Sequence, residues 1–510
     1  MAWASRLGLL LALLLPVVGA STPGTVVRLN KAALSYVSEI GKAPLQRALQ
    51  VTVPHFLDWS GEALQPTRIR ILNVHVPRLH LKFIAGFGVR LLAAANFTFK
   101  VFRAPEPLEL TLPVELLADT RVTQSSIRTP VVSISACSLF SGHANEFDGS
   151  NSTSHALLVL VQKHIKAVLS NKLCLSISNL VQGVNVHLGT LIGLNPVGPE
   201  SQIRYSMVSV PTVTSDYISL EVNAVLFLLG KPIILPTDAT PFVLPRHVGT
   251  EGSMATVGLS QQLFDSALLL LQKAGALNLD ITGQLVARQF PEPMPVVLKV
   301  RLGATPVAML HTNNATLRLQ PFVEVLATAS NSAFQSLFSL DVVVNLRLQL
   351  SVSKVKLQGT TSVLGDVQLT VASSNVGFID PSPQKSIGQL DKECQLSLQP
   401  GDVIGSSATI HPLVSRHAIN MPPFYPAVSL SVCRSSASGS LLASPPVGHT
   451  TDQVRTLMGT VFEKPLLDHL NALLAMGIAL PGVVNLHYVA PEIFVYEGYV
   501  VISSGLFYQS

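Results

Sequence analysis

Side chains that could do chemistry are scattered through this 510-residue sequence rather than gathered into motifs. No Gly-x-Ser-x-Gly elbow, His-Glu-x-x-His helix or Gly-x-x-x-x-Gly-Lys-Ser/Thr phosphate cradle occurs, and Gly230-Lys231 runs straight into Pro232. Common hydrolase, zinc-peptidase and nucleotide sites lack their residues, so neither an enzyme activity nor a cofactor is expected. His75 and His80, five apart on a strand-like stretch, should point to opposite faces and share no metal ion. His411 and His417 lie where the sequence has no periodicity. The four cysteines form no Cys-x-x-Cys and have no histidine cluster beside them, which removes metal and redox readings. They fall into two pairs, Cys137 with Cys174 and, as a candidate second disulfide, Cys394 with Cys433. The first would close a loop worth roughly 3–4 kcal/mol.

Disulfides imply export, and the sequence supplies an address. Arg6 precedes the apolar run from Leu7 to Val18, and Val18-Gly19-Ala20 offers a small-residue cleavage site, so residues 1–20 read as a secretory signal peptide. The run is shorter than the roughly 18–20 residues of a membrane helix, and later runs such as Ala224 to Leu229 and Ala267 to Leu271 stop sooner still. A soluble, secreted, extracellular protein without a transmembrane segment is expected. Export would make the sequons at Asn96, Asn151 and Asn314 usable for glycosylation. Lys and Arg number 34 against 29 Asp and Glu, a net charge of +5 scattered without aromatic interleaving, so nucleic acid is not expected as a partner. Only 12% of residues are charged, against about 25% in ordinary soluble domains. Mean hydropathy is +0.44. Such a chain must hide much apolar surface, and its length permits a large core.

The elements that would hide it alternate in type. Leu34, Val37, Leu45 and Leu49 recur at helical spacing after Asn30, a candidate N-cap, with Pro44 kinking the middle. Leu108, Leu110, Leu112, Val114 and Leu116 alternate with polar residues as in a half-buried strand, and Ile69 to Phe83 reads similarly with breaks. A second helix runs through Leu158, Val161, Ile165 and Val168, with Cys174 near its end. The order then repeats: a helix from Ser260 through Phe264, Ala267 and Leu271 to Gly275, long strands, and a helix through Val454, Leu457, Val461, Leu466, Leu470 and Leu473. Val344 to Val352 alternates without fault, and a bulge is expected where Lys354 shifts the phase. Pro232, Pro236, Pro241 and Pro245 mark a linker between two related halves.

Several pieces in this order carry a resemblance: Gly24-Thr25-Val26-Val27-Arg28-Leu29 before an amphipathic helix, the Cys137 and Cys174 pair, Pro241-Phe242-Val243-Leu244-Pro245, Val257-Gly258-Leu259-Ser260 opening the second half, and Gly477-Ile478-Ala479-Leu480-Pro481 before the last strands. Over nearly the whole mature length the chain resembles the family of bactericidal/permeability-increasing protein, lipopolysaccharide-binding protein and the plasma lipid-transfer proteins, and within it the BPI fold-containing family B branch. The resemblance implies an α+β fold, an elongated boomerang of two tubular barrels. Each is a twisted antiparallel sheet wrapped on a long helix, and a central antiparallel sheet joins them. It places an N-terminal lipid-binding barrel at 21–230, a Pro-rich linker and central-sheet region at 231–247, and a C-terminal barrel at 248–510, interrupted by a Ser/Pro-rich insertion at about 381–449.

On that fold Leu34, Val37, Leu45, Leu158, Val161 and Ile165 are candidates for an N-terminal lipid pocket, and Phe264, Leu268, Leu271, Leu457 and Val461 for a C-terminal one. The function implied is a carrier or sequestrant holding phospholipid or a related amphipathic lipid by its acyl chains. One alternative is an innate-immune protein binding lipopolysaccharide or bacterial surfaces; the other is a secreted scaffold with vestigial pockets. Where antibacterial relatives carry lysines at the barrel tip, this chain has Leu91-Leu92-Ala93-Ala94-Ala95-Asn96-Phe97-Thr98 flanked only by Arg90, Lys100 and Arg103. At most weak lipopolysaccharide binding is therefore expected.

Overall fold

The computed structural model describes residues 23–54, 56–58, 65–102, 107–142, 145–146, 155–233, 241–246, 248–249, 252–285, 294–328, 334–365, 367–374, 395–400, 428–431 and 463–509. Antiparallel sheets dominate it, with few helices. In the first half β1 (Thr25–Asn30) leads into α1 (Lys31–Ile40) and α2 (Lys42–Ala48), followed by β2 (Gln65–Ile84), β3 (Gly88–Phe102), β4 (Leu108–Gln124), β5 (Pro130–Ser141) and α3 (His155–Gly189). The strands β6 (Asn195–Gly198), β7 (Ser201–Met207) and β8 (Tyr217–Leu228) close it. The second half repeats the order. β9 (Ala255–Ser260) leads into α4 (Gln261–Lys273), then β10 (Leu279–Leu285), β11 (Met294–Leu302), β12 (Val307–His311), β13 (Asn314–Leu319), β14 (Pro321–Thr328), β15 (Phe334–Ser353), β16 (Lys356–Val363) and β17 (Val367–Ser374). After α5 (Glu463–Met476) come β18 (Ile478–Ala479), β19 (Leu486–Tyr496) and β20 (Tyr499–Tyr508).

The N-terminal sheet runs β2-β3-β4-β5 and curls over α3. Val161, Ile165, Leu169, Leu173 and Ile177 form the buried stripe of that 35-residue helix. At about 100° per residue, a step of four overshoots one turn by about 40°, so the buried direction rotates by about 160° from Val161 to Ile177. A flat sheet could not cover such a stripe; a coiled one does. Cys174 therefore sits mid-helix, not near its end, and bonds Cys137 on the outer strand β5 with Cα atoms 5.9 Å apart. Farther along, the Asn185 side chain accepts from Val132 N (2.8 Å) and donates to Val132 O (2.8 Å), standing in for the missing neighbour strand.

Local chemistry corrects four details of the sequence reading. Asn30 occupies the N-cap position, but its side chain donates to Ser253 O (3.1 Å) and Thr256 Oγ1 (3.2 Å), tying α1 to the neighbouring strand instead of capping it. The helix breaks at Gly41, since Pro44 crowds the carbonyl four residues earlier. Lys354, at φ 57°, turns a two-residue hairpin in which Ser353 pairs with Lys356, so the phase shift is a chain reversal and not a bulge. Bulges lie elsewhere, among them two in β2, between Ile71 and Asn73 and between His75 and Arg78. The second brackets Pro77, which has no N–H to give a ladder, and it restores the phase the first one broke. His75 and His80 consequently share the exposed face.

A nine-stranded central sheet joins the halves in the order β19-β20-β9-β1-β8-β7-β6. At its middle β1 pairs β9, with Val27 opposite Val257, so the opening strand of each half lies beside the other. Among the described residues of the Pro-rich segment, Lys231–Ile233 joins this sheet and Pro241 to Arg246 crosses its face. Gly258 permits the crossing, because a Cβ there would lie 2.5 Å from Leu244 and 2.7 Å from Phe242. The buried Arg28 guanidinium pins the crossing by donating to Pro245 O (2.7 Å), with its charge over the Tyr217 ring (4.1 Å). Burial pushes the Arg28 pKa down.

Candidate functional site

In the second half, α4 and α5 lie against the concave side of the C-terminal sheet, and a cavity remains between them. Its enclosed volume is about 50 Å³, a narrow slot that widens into an open mouth. Phe264, Ala267, Leu268 and Leu271 reach it from one face of α4, as their three- and four-residue spacing dictates. The end of α4 is fixed by Gly275, whose φ of 69° lets Ala276 N donate to Leu271 O. Leu473 and Leu474 come from α5, Leu348 and Leu350 from alternate positions of β15, Leu357 and Gly359 from β16, Ala308 from β12 and Leu317 from β13. Val197 on β6 reaches in from the central sheet, so both halves of the chain build the wall.

The lining is almost wholly apolar. Gln358 alone brings a polar side chain, and its amide already donates to Ala475 O. Among the described residues no charged group lines the space. Just outside it, Asp265 Oδ1 accepts from Ala308 N (2.8 Å) and Gln261 Oε1 accepts from Leu310 N (3.1 Å), closing the free edge of β12 against α4. Burial raises the Asp265 carboxyl above the ordinary carboxylate range, while its bonds from Ala308 and Gln261 pull the other way.

The rim is the segment Gly477–Pro481. Gly477 has φ 67°, and a Cβ there would stand 2.8 Å from Leu357 O, so the turn out of α5 requires glycine. Tyr205 donates to Ala479 O (2.7 Å) and Tyr488 to Pro481 O (2.8 Å); burial raises both phenols. An apolar slot of this kind can hold hydrocarbon.

Of the residues singled out in the sequence, Phe264, Leu268 and Leu271 meet at this cavity; Leu457 and Val461 lie outside the described residues. Leu45, Val161 and Ile165 share the interior of the N-terminal sheet with the stacked Phe97 and Phe99. Leu158 is on α3, its side chain outside the described set. Leu34 packs in a separate cluster with Phe83, Val122, Val213 and Ile218, and Val37 is 42% exposed, since α1 buries Ala33 and Ser38. Asn96 is exposed in mid-strand on β3, and Asn314 is exposed at the turn into β13. Asn151, Cys394, Cys433, Arg103, His411 and His417 fall outside the described residues. Sequence reasoning missed Val197 and Gly359 as lining. The alternation around Leu348 and Leu350 did mark one wall.

The model for the N-terminal domain of the LBP / BPI / CETP family matches residues 33–186, and that for its C-terminal domain matches residues 283–387. Human "BPI fold-containing family B member 2" is 83% identical over 528 aligned positions, covering 100% of both chains. The chain belongs to the LBP/BPI/CETP family. The mouse protein of the same name is 57% identical, again over 100% of each. The crystal structure of lipopolysaccharide binding protein matches with a TM-score of 0.55 at 17% identity, covering 96% of this chain and 100% of that one, a likeness of fold. The sheet-wrapped-on-helix architecture is thus the lipid-binding fold of the LBP/BPI/CETP family. No described helix is long and apolar enough to cross a membrane.

Proposed function

We propose that this LBP/BPI/CETP-family protein is secreted and holds phospholipid-like lipid by its acyl chains, as carrier or sequestrant, without catalysing a reaction. The observation that carries the reading is the cavity between α4 and α5, whose walls are leucine, phenylalanine, alanine and valine with one polar side chain among them. Burying acyl chain there would release about 0.8 kcal/mol per methylene. With no charged group among the described wall residues, a headgroup would remain at the mouth, and selectivity among headgroups would be loose. Leu45, Val161 and Ile165 would line the N-terminal counterpart. Export rests on the apolar run after Arg6 and on the Cys137–Cys174 bond, which suits an oxidising compartment. The exposed Asn314 turn would then be a glycan acceptor. Native mass spectrometry and lipid extraction of protein purified from secretions test the reading. Co-purifying phospholipid near one or two molecules per chain is expected; protein that arrives empty and takes up no labelled phospholipid would refute it and favour a scaffold.

A further inference from the structure

We propose that the outer face of β2 is a docking stripe for a linear sulfated polysaccharide. Between Gln65 and Ile84 there is no Asp or Glu, while Arg68, Arg70, His75, Arg78, His80 and Lys82 are all present. The two bulges bring all six to the solvent side; without them His75 would face the core. The neighbouring strand β3 does not neutralise this row. Arg90 is taken by Asp119 (2.7 Å) and Lys100 lies toward Glu109 (3.8 Å), both on β4. Arg70 therefore stands directly opposite Lys100, and Lys82 opposite Arg90. Like charges paired across a sheet cost stability, and the fold gains nothing from them. Among the described residues, Arg68, Arg70, Arg78 and Lys82 form no ion pair.

The stripe lies in the half that carries the chain's excess of positive charge. Residues 21–192 hold 16 Lys and Arg against 9 Asp and Glu, whereas 193–510 hold 17 against 20. Its geometry favours a thread over a flat surface: from Arg68 to Lys82 the cations follow one strand for about 40 Å at ~3.3 Å per residue, allowing for the two bulges. Among the described residues Phe102 is the exposed aromatic next to the row, against Arg68, and the nearest other on this sheet face, Phe140, lies three strands away, which is too little for the base stacking that single-stranded nucleic acid would use. The lipid cavity lies in the other half, so this inference stands apart from the lipid reading.

The test uses full-length, enzymatically deglycosylated protein and heparin oligosaccharides of increasing length. Affinity should rise with length and level off near 40 Å, and it should fall about a hundredfold between 50 and 200 mM salt, as for about four released counterions. Replacing Arg68, Arg70, Arg78 and Lys82 together by Gln should weaken binding at least tenfold and flatten the salt dependence. Removing Lys299, Arg318, Arg347 and Lys464 from the other half should leave it unchanged. Thermal melting confirms that both variants fold. Equal losses in the two variants would overturn the stripe. Tighter binding to phosphatidylglycerol vesicles, lipopolysaccharide or single-stranded DNA than to heparin at the same salt would overturn the partner.

Discussion

Filling the cavity from its sheet side separates an acyl-chain site from an incidental packing gap. Gly359 lies on β16 opposite Leu350, and a Cβ there would meet Leu348 Cδ1 at 3.0 Å and Leu474 Cβ at 3.6 Å. These neighbours are leucine side chains, not backbone, so the series Gly359→Ala, Gly359→Val, Gly359→Leu can be accommodated at a cost of about 1–3 kcal/mol of overpacking. Leucine places four carbons where the ligand's chain would lie. At about 0.8 kcal/mol per methylene displaced, lipid binding should weaken by roughly 3 kcal/mol, about a hundredfold in Kd, with Ala and Val falling between. Displacement of a fluorescent fatty acid, read beside thermal melting of the lipid-free protein, measures both quantities. If Gly359→Leu folds and still binds within twofold of the parent, the acyl chain does not occupy this space and the reasoning fails.

Other outcomes follow from single contacts. Breaking the Cys137–Cys174 bond by substituting both with Ser reopens a 37-residue separation and should cost about 4 kcal/mol, read as a lower urea midpoint; an unchanged midpoint would mean that α3 holds β5 without it. Asn471→Ala removes the acceptor of Thr361 N (2.7 Å) and Oγ1 (2.8 Å), so lipid exchange should quicken severalfold in stopped-flow transfer, with little change in Kd. Asp265 has a folded-state pKa above its unfolded value, so the folded protein binds that proton more tightly and stability should rise as pH falls from the folded value toward the unfolded one. Asp265→Asn should flatten that part of the stability–pH curve, and an equal slope in both proteins would refute the assignment.

Periodicity made much of this fold legible. Four-residue spacing on α3 and strict alternation on β15 report buried faces directly, and Phe264, Leu268 and Leu271 could be placed on a single helix face before any coordinates. What stayed hidden depended on register. The bulges of β2 leave no mark in alternation counts, so its aligned cations look like scattered charge in the sequence, while Arg90 and Lys100 of the neighbouring strand are partnered. Val197 and Gly359 were invisible as lining because each acquires its role from elements far away in sequence.

The way the barrels close bears on how a lipid could enter. In both halves the sheet is left open, and the free edge is satisfied by helix side chains in place of another strand: Asn185 on Val132 of β5, Asn471 on Thr361 of β16, Gln261 and Asp265 on β12, and Ser38 on Leu81 N of β2. A strand ladder would be broken only cooperatively. A seam of separate side-chain bonds, each worth about 0.5–1.5 kcal/mol net, can part over a few residues while the sheet stays intact. The β16 seam against α5, held by Asn471, Gln358 and the Lys356 Nζ bond to Met476 O (3.1 Å), is also a wall of the cavity. At the β5 seam of the N-terminal half the Cys137–Cys174 disulfide adds a covalent tie. If lipid is held as proposed, two halves with one architecture should differ in exchange, the C-terminal cavity loading and unloading faster.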